Sequence, residues 1–367
     1  MVQYVPRPFG RVTHENTTTH SQSCFTQQTE RGASSSQGSN IDCWKVVRQK
    51  YLSEGYDADT VDILMTSWRD GTKNCYHVHL KRWLLYCEHS DTPFLHPTLS
   101  QVFAFFSEYI KNGCSYEQIC TARSAMSLLL SYSTNEMTWG KLPIVKRYMK
   151  GVFERSPVFP KYYTTWDVSV VFSYFRELPS PSELDLKTLS QKLCLLLVLL
   201  SGGQRCQTIH KIQVQDLKVT NDMLQIPIMG KIKQTRPRMH MAPLKFKPYI
   251  REDKLCVVTH LKHYLQRTSV FRRSQKLFLS YIKPHSAVGK ETIARWCKHT
   301  LNLAGIDINK YHSHSSRSAA TSKANSKGMA VTKICEYAGW SNERTFASFY
   351  DKTIVENTVF QDTILPI

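Results

Sequence analysis

The chain has 367 residues, 41 % of them hydrophobic and 21 % charged, and Lys plus Arg outnumber Asp plus Glu by 48 to 29 for a formal net charge of +19. That length suits two domains, each able to bury a core without disulfide staples, and excludes a single small module. The charge disfavours basic substrates and favours a polyanion.

Residues 1–40 are expected to be a disordered tail, because 14–40 is rich in Ser, Thr, Gln and Asn with almost no apolar periodicity. The N-terminal MVQYVPRPFG has no apolar signal core, and Val2 leaves no glycine for myristoylation. From Trp44 the pattern turns helical. Tyr76, Leu80, Trp83, Leu84 and Cys87 lie on one helix face, Val102–Ile110 is a second apolar helix closed by Asn112-Gly113, Tyr116–Tyr132 a third and Val145–Phe153 a short basic fourth. Cys75, His77, His79, Cys87 and His89 fall along that first amphipathic helix without a C-x-x-C pair, which disfavours zinc. No strand is convincing before Pro157, so residues 41–155 are predicted to be an all-helical domain. Pro157 and Pro160 forbid a continuing helix and place a linker at 156–163.

Residues 164–367 are predicted to form a second, mainly α domain with a small antiparallel sheet. Helices are expected at about 166–177 and 186–200, the latter apolar all round and therefore central. Ile212–Val219 and Leu224–Ile228 alternate like strands around Asn221-Asp222, and a third strand is expected near Met239–Leu244. Helices then fill about 254–268, 290–304, 315–327, 330–338 and 343–350. The longest apolar run, Leu193–Leu200, is too short to span a bilayer, so no membrane is expected. The eleven Cys are scattered, which reads as reduced thiols in cytosol or nucleus.

The net positive charge is concentrated rather than scattered: residues 231–330 carry about +17. A nucleic-acid groove requires such a focus; a solvated basic surface is the plainer reading. Within and around this stretch four motifs carry chemistry. Arg205 follows the apolar helix and Gly202-Gly203, where its fork suits either a phosphate or a helix carbonyl end. Lys231, Lys233, Arg236 and Arg238 crowd a loop between two strands, as a phosphate-steering surface or with one ammonium beside a leaving oxygen. His314 and Arg317 stand three apart at a helix N-terminus, where Ser315, Ser316 and Ser318 could equally serve as caps. Finally Gly339 ends a helix, Trp340 offers an indole donor, Asn342 can cap the next helix, Phe346 and Phe349 mark its buried face, and Tyr350 sits at the margin of that face.

Taken in order, an Arg, a hairpin Lys, H-x-x-R, G-W and a Tyr ten residues later resemble the tyrosine recombinases of the phage-integrase superfamily. TKNCYHVHLKRWLLYC, TARSAMSLLL and VKRYMKGVF resemble its helical, SAM-like core-binding domain, and KYYTTWDVSVVFSYF the start of its catalytic domain. ETIARWCKHTLNLAGID, HSSRSAATSKA and AGWSNERTFASFYDK resemble the recombinases of DIRS-like mobile elements in animal genomes. The resemblance spans roughly residues 45 to 355 and implies the following roles. Arg205 and Arg317 clamp the scissile phosphate. His314 and Trp340 donate to its oxygens, Trp340 standing where many relatives have a second His. Lys233, or alternatively Lys231, protonates the leaving 5′-hydroxyl, in a hairpin longer than in bacterial relatives. Tyr350 attacks to give a 3′-phosphotyrosine. Arg236, Arg238 and Lys231, with Arg123, Lys146, Arg147 and Lys150 of the first domain, are the expected DNA contacts. The family often has an acidic residue three after the first Arg, where Thr208 stands here.

Two guanidinium groups beside a phenol favour phenolate and neutralise a phosphorane, so neither cofactor nor metal is expected, and the sequence has no P-loop motif or acidic cluster. The resemblance further implies double-stranded DNA as partner, a C-shaped clamp around it, a homo-oligomer that is tetrameric in a synapse, a tail after Asp351 that packs on a neighbour, and a nuclear location. A DNA-binding descendant without activity and a type IB topoisomerase-like relaxing enzyme stay open as alternatives.

Overall fold

A computed structural model describes residues 42–130, 138–159, 162–238 and 240–355. The Ser/Thr/Gln-rich tail expected at 1–40 lies outside the described residues. The chain divides into two compact units between Val158 and Phe159.

The first unit is helical throughout its described residues: α1 Cys43–Ser53, α2 Ala58–Thr66, α3 Asp70–Ser90, α4 Leu99–Lys111, α5 Tyr116–Met126 and α6 Pro143–Arg155. Local chemistry sets the starts. Asp42 and Asp57 cap α1 and α2, Thr98 with Gln101 and Ser115 with Gln118 form capping boxes on α4 and α5, and Pro143 opens α6 where its missing N–H costs nothing. The predicted face of α3 is the buried one: Leu80, Trp83, Leu84 and Cys87 meet Phe105 and Phe106 of α4 and Ala122 and Met126 of α5. The Trp83 indole, fully buried, donates to the Phe94 carbonyl at 3.0 Å. α5 stops six residues earlier than the periodicity predicts. Ser127 returns its hydroxyl to the Arg123 carbonyl, and the turn that follows sends both Leu129 and Leu130 into the core.

The second unit comprises β1 Thr164–Thr165, α7 Val168–Glu177, α8 Leu186–Leu200, α9 Cys206–Lys211, β2 Lys218–Val219, β3 Leu224–Ile226, β4 Leu244–Phe246, α10 Val257–Thr268, α11 Lys290–Leu303, α12 Ser315–Ser326, α13 Val331–Ala338, α14 Glu343–Phe349 and β5 Thr353–Ile354. α8 is its axis, with every residue from Leu189 to Leu199 buried and α10, α11 and α12 packed around it. At about 2 kcal/mol per buried leucine it is a large contributor to the apolar stabilisation of the unit. None of the described helices is long and apolar enough to cross a membrane.

The sheet is antiparallel with order β2-β3-β4, Val219 facing Leu224 and Ile226 facing Leu244. Two strand boundaries differ from expectation. β4 begins at Leu244, because Leu244 and Phe246 are the buried pair that alternates with exposed Lys245. Residues 212–214 pair instead with 275–277, Val214 donating to Gln275 and Leu277 to Ile212, so only Lys218–Val219 remains for β2. The parallel pair of β1 with β5, Thr164 opposite Thr353, has no counterpart in the sequence pattern. It places Thr353 and Ile354 beside the start of the unit, while residues 356–367, the rest of the tail expected to pack on a neighbour, lie outside the described residues.

Candidate active site

The site is assembled where three turns of the second unit meet. The first follows α8. Gly202 and Gly203 adopt φ of +83° and +68°. A Cβ on Gly202 would lie 2.8 Å from Tyr337 Cβ, and one on Gly203 2.7 Å from Arg317 Cα, so the Gly-Gly pair lets this turn pack backbone to backbone on α12 and α13. Gln204 locks it by donating to the Tyr337 carbonyl at 2.6 Å. Arg205 comes next, at the N-cap position of α9, so its side chain does not cap the end of α8. It lines a pocket of about 300 Å³ with His314, Arg317, Lys290 and Cys206, and its Nη1 is buried with no hydrogen-bond partner. Thr208, in the position of the family's acidic residue, is buried with its hydroxyl also unpartnered.

The second turn leads into α12. His314 occupies the N-cap position, and Ser315 bridges neighbours, accepting from the Trp166 indole at 2.9 Å and donating to the His312 carbonyl. Arg317 is only 2 % exposed. Its Nη1 donates to the Gly203 carbonyl at 2.9 Å and its Nη2 to the Ala338 carbonyl, while Nε has no partner. Burial, and then the Arg205 charge, pull its pKa below the ordinary arginine value.

The third turn joins α13 to α14. Gly339, at φ +68°, ends α13, and the Trp340 N–H closes back on the Cys335 carbonyl at 2.9 Å. The Trp340 ring lies 4.5 Å from the Arg317 guanidinium and 4.5 Å from the Tyr350 ring; its indole N–H is buried without an acceptor. Asn342 caps α14 through the Thr345 N–H at 3.0 Å. Tyr350, the C-cap of that helix, holds its hydroxyl 3.4 Å from His314 Nε2. The sequence reading of Phe349 is corrected: Phe346 is buried but Phe349 is 67 % exposed. Tyr350, four residues after Phe346, shares its helix face and packs with it against Trp340, and Phe349 is turned outward.

The hairpin loop between β3 and β4 contributes Lys233. Ile232 is buried at its root, and Ile232 and Thr235 close a small turn through the Ile232 N–H to the Thr235 hydroxyl and the Thr235 N–H to the Ile232 carbonyl. Gln234 packs against Gly339, its side chain 3.4 Å from where a Cβ there would sit. Lys231 and Lys233 are both exposed, but Lys233 is the hairpin lysine whose charge acts on His314. The His314 pKa is lowered by burial first and then by Arg317, Arg205 and Lys233, which keeps the imidazole neutral at pH 7.

Arg205, Lys233, His314, Arg317, Trp340 and Tyr350 are therefore brought together. Arg236 and Arg238 are exposed farther along the loop, Arg238 at φ +61°. In the first unit Lys146, Arg147 and Lys150 stand on the solvent side of α6, opposite Val145, Met149 and Val152. Arg123 is half-buried, its Nε 4.0 Å from where a Cβ on Gly140 would be. Sequence reasoning passed over Gln204, whose amide ties two turns together, and Gln234, whose amide is buried against Gly339 without a hydrogen-bond partner. A polar residue beside Gly202-Gly203 or Lys233 was the available sign.

Residues 182–354 match the family model described as the phage integrase family. No curated protein matches the sequence. Among solved structures, the XerH site-specific recombinase bound to palindromic difH substrate in a post-cleavage complex is 15 % identical, with a TM-score of 0.52 over 74 % of each chain. The Tn1549 transposon integrase in complex with transposon right end DNA is 11 % identical, with a TM-score of 0.50 over 88 % of this chain and 96 % of that one. At such identities the likeness is one of fold. The matched stretch begins just before α8 and runs past Tyr350.

Proposed function

We propose that the chain is a tyrosine recombinase that cuts and rejoins DNA through a 3′-phosphotyrosine intermediate. The observation that carries this reading is a set of unpartnered buried donors around one phenol. Arg205 Nη1, Arg317 Nε and Trp340 Nε1 lack acceptors, and all belong to residues grouped about the Tyr350–His314 pair. Buried donors of this kind are costly unless something accepts from them, and a phosphate presents several acceptor oxygens.

Chemistry follows from the arrangement. The Tyr350 hydroxyl attacks phosphorus while the neutral His314 Nε2 accepts its proton. Negative charge growing on the non-bridging oxygens is met by two guanidinium groups and the indole N–H, all preorganised. The P–O5′ bond breaks, and Lys233 supplies a proton to the leaving oxygen. Rejoining is the reverse. The bond energy is kept in the phosphotyrosine, so the cycle consumes no nucleotide. The basic hairpin and the outer face of α6 are the surfaces for duplex DNA. Recombination between two sites calls for several copies on DNA, and we extend the proposal to a homo-oligomer. The sequence resemblance to DIRS-like elements extends it further, to a mobile-element source and action in the nucleus.

Tyr350→Phe tests the reading. Wild type incubated with a labelled suicide substrate should give a covalent protein–DNA adduct on denaturing gels, carried on the 3′ end. The variant should bind the same DNA and give none. An undiminished adduct in the variant removes Tyr350 as nucleophile, and no adduct from wild type on any site tested favours a DNA-binding protein without this chemistry.

A further inference from the structure

The phenol of Tyr350 has its partners in the site, but what holds its backbone there is a separate matter. α14 ends at Phe349, so the carbonyl of Tyr350 has no helical acceptor role to fill. It accepts instead from the Ser322 hydroxyl at 2.8 Å. The Ser322 Oγ in turn accepts the Lys352 N–H at 3.0 Å. One hydroxyl, as donor and as acceptor, thus grips the chain on both sides of Asp351. Ser322 is 3 % exposed, so its hydroxyl makes both bonds from inside the fold.

Other ties fall farther along. Asn325 donates to the Asp351 carboxylate at 3.2 Å on the surface, and Lys352 Nζ donates to the Tyr162 carbonyl at 2.6 Å. Among the described residues, Ser322 is the side chain outside α14 that bonds the nucleophile's own backbone. Its position on the chain gives that bond meaning. Ser322 belongs to α12, the helix whose N-cap is His314 and whose first turn carries Arg317. Ser322 lies five residues, about 7.5 Å of helix rise, beyond Arg317 and eight residues, about 12 Å, beyond His314. One rigid helix therefore sets the spacing of the phosphate clamp, the proton acceptor and the nucleophile.

We propose that Ser322 is a positioning residue for the attacking tyrosine: it touches neither DNA nor the reacting atoms, and it fixes the register of Tyr350 against His314 and Arg317. This rests on the recombinase reading above. Without the tether the phenol keeps its chemistry but loses its aim, and a misplacement of about 1 Å is worth on the order of 10²-fold in rate.

The experiment uses the full chain and two nucleophiles. Ser322→Ala should slow adduct formation at saturating suicide substrate about 10- to 100-fold, with DNA affinity unchanged. In the Tyr350→Phe background, hydrogen peroxide can stand in for the phenol: hydroperoxide attacks phosphorus, and the 5′ oxygen leaves with its proton. That reaction needs the cations but not the aim of residue 350, so adding Ser322→Ala should leave the peroxide-driven rate as it was. Equal slowing of both reactions would show that Ser322 supports the whole site and would overturn the proposal, as would adduct formation at the wild-type rate. Should Ser322→Ala fold poorly, Ser322→Cys keeps the volume with a weaker donor, and its rate should fall between wild type and alanine; a wild-type rate from it also overturns the proposal. If neither Tyr350 nor peroxide cleaves DNA in an otherwise unaltered chain, the recombinase reading itself fails, a result distinct from a loss confined to Ser322 variants, and it takes this proposal with it.

Discussion

The guanidinium of Arg317 lies 4.5 Å from the centre of the Trp340 ring, stacked between an indole and two backbone carbonyls. Those carbonyls belong to Gly203 and Ala338, on different turns, so the planar fork is fixed before any substrate arrives. A lysine offers a point charge and cannot bridge both carbonyls while covering the ring. Arg317→Lys should therefore keep DNA binding and lose at least about 10²-fold in adduct formation, measured under single turnover with labelled substrate.

The two hairpin lysines are separable by their leaving group. A substrate whose bridging 5′ oxygen is replaced by sulfur needs no acid, because thiolate leaves unaided. Lys233→Ala should slow cleavage of ordinary DNA and be restored on the sulfur substrate; Lys231→Ala should show neither effect. The reverse pattern transfers the role to Lys231.

Adduct formation should also depend on pH through His314. Burial and the surrounding cations hold its pKa below the ordinary 6.5, so the ring accepts a proton across the neutral range and ceases to do so only in acid. A pH–rate profile should be flat from about pH 7 to 8 and fall on an acid limb lying below pH 6.5. Removal of positive charge by Lys233→Ala should move that limb upward.

Gly203→Ala is expected to be among the most damaging single-methyl changes in the chain. The position has φ +68° and the added carbon meets Arg317 Cα at 2.7 Å, so conformational strain adds to a clash with backbone that cannot swing aside. A loss of about 2–4 kcal/mol is expected in urea unfolding. Gly305, at φ +81° with open space around its Cβ, is the control and should lose only about 1 kcal/mol.

Stability should carry the mark of two buried bases. Burial lowers Lys192 from 10.5 to about 8 and His260 from 6.5 to about 4. In each case the unfolded chain binds the proton more readily, so stability rises with pH across about 8 to 10.5 for the lysine and about 4 to 6.5 for the histidine, and is lost as pH falls through those windows. Lys192→Met should flatten the alkaline rise. At pH 7 it should stabilise by roughly 1–2 kcal/mol, the relief of a buried charge less the hydrogen bond that Nζ gives to the Phe175 carbonyl. Chemical unfolding at several pH values, compared between variant and wild type, isolates the contribution.

The helices were legible where burial follows a period. α8 announces itself by an unbroken apolar run, and the inner face of α3 by four residues that recur at helical spacing. The site was legible as an order of residue types: no single one of Arg205, His314 or Trp340 is informative, whereas their sequence along the chain is. What stayed hidden depends on contacts between distant segments. β1 and β5 are two residues each, too short for alternation to register. Ser322 looks like any helical serine until Tyr350 is seen beside it. Phe349 was misplaced because Phe346 and Phe349 are as compatible with a helical stripe as Phe346 and Tyr350, and only Trp340 decides between them.

The pairing of Thr164 with Thr353 has a mechanical meaning. It joins the first strand of the second unit to the strand that follows Tyr350, and Val355 extends the junction by donating to the Thr165 carbonyl at 2.8 Å. Among the described residues, the two ends of the second unit are therefore fastened to each other. A change that loosens Thr164 or Thr165 is therefore felt three residues from Tyr350, without passing through the α8 core.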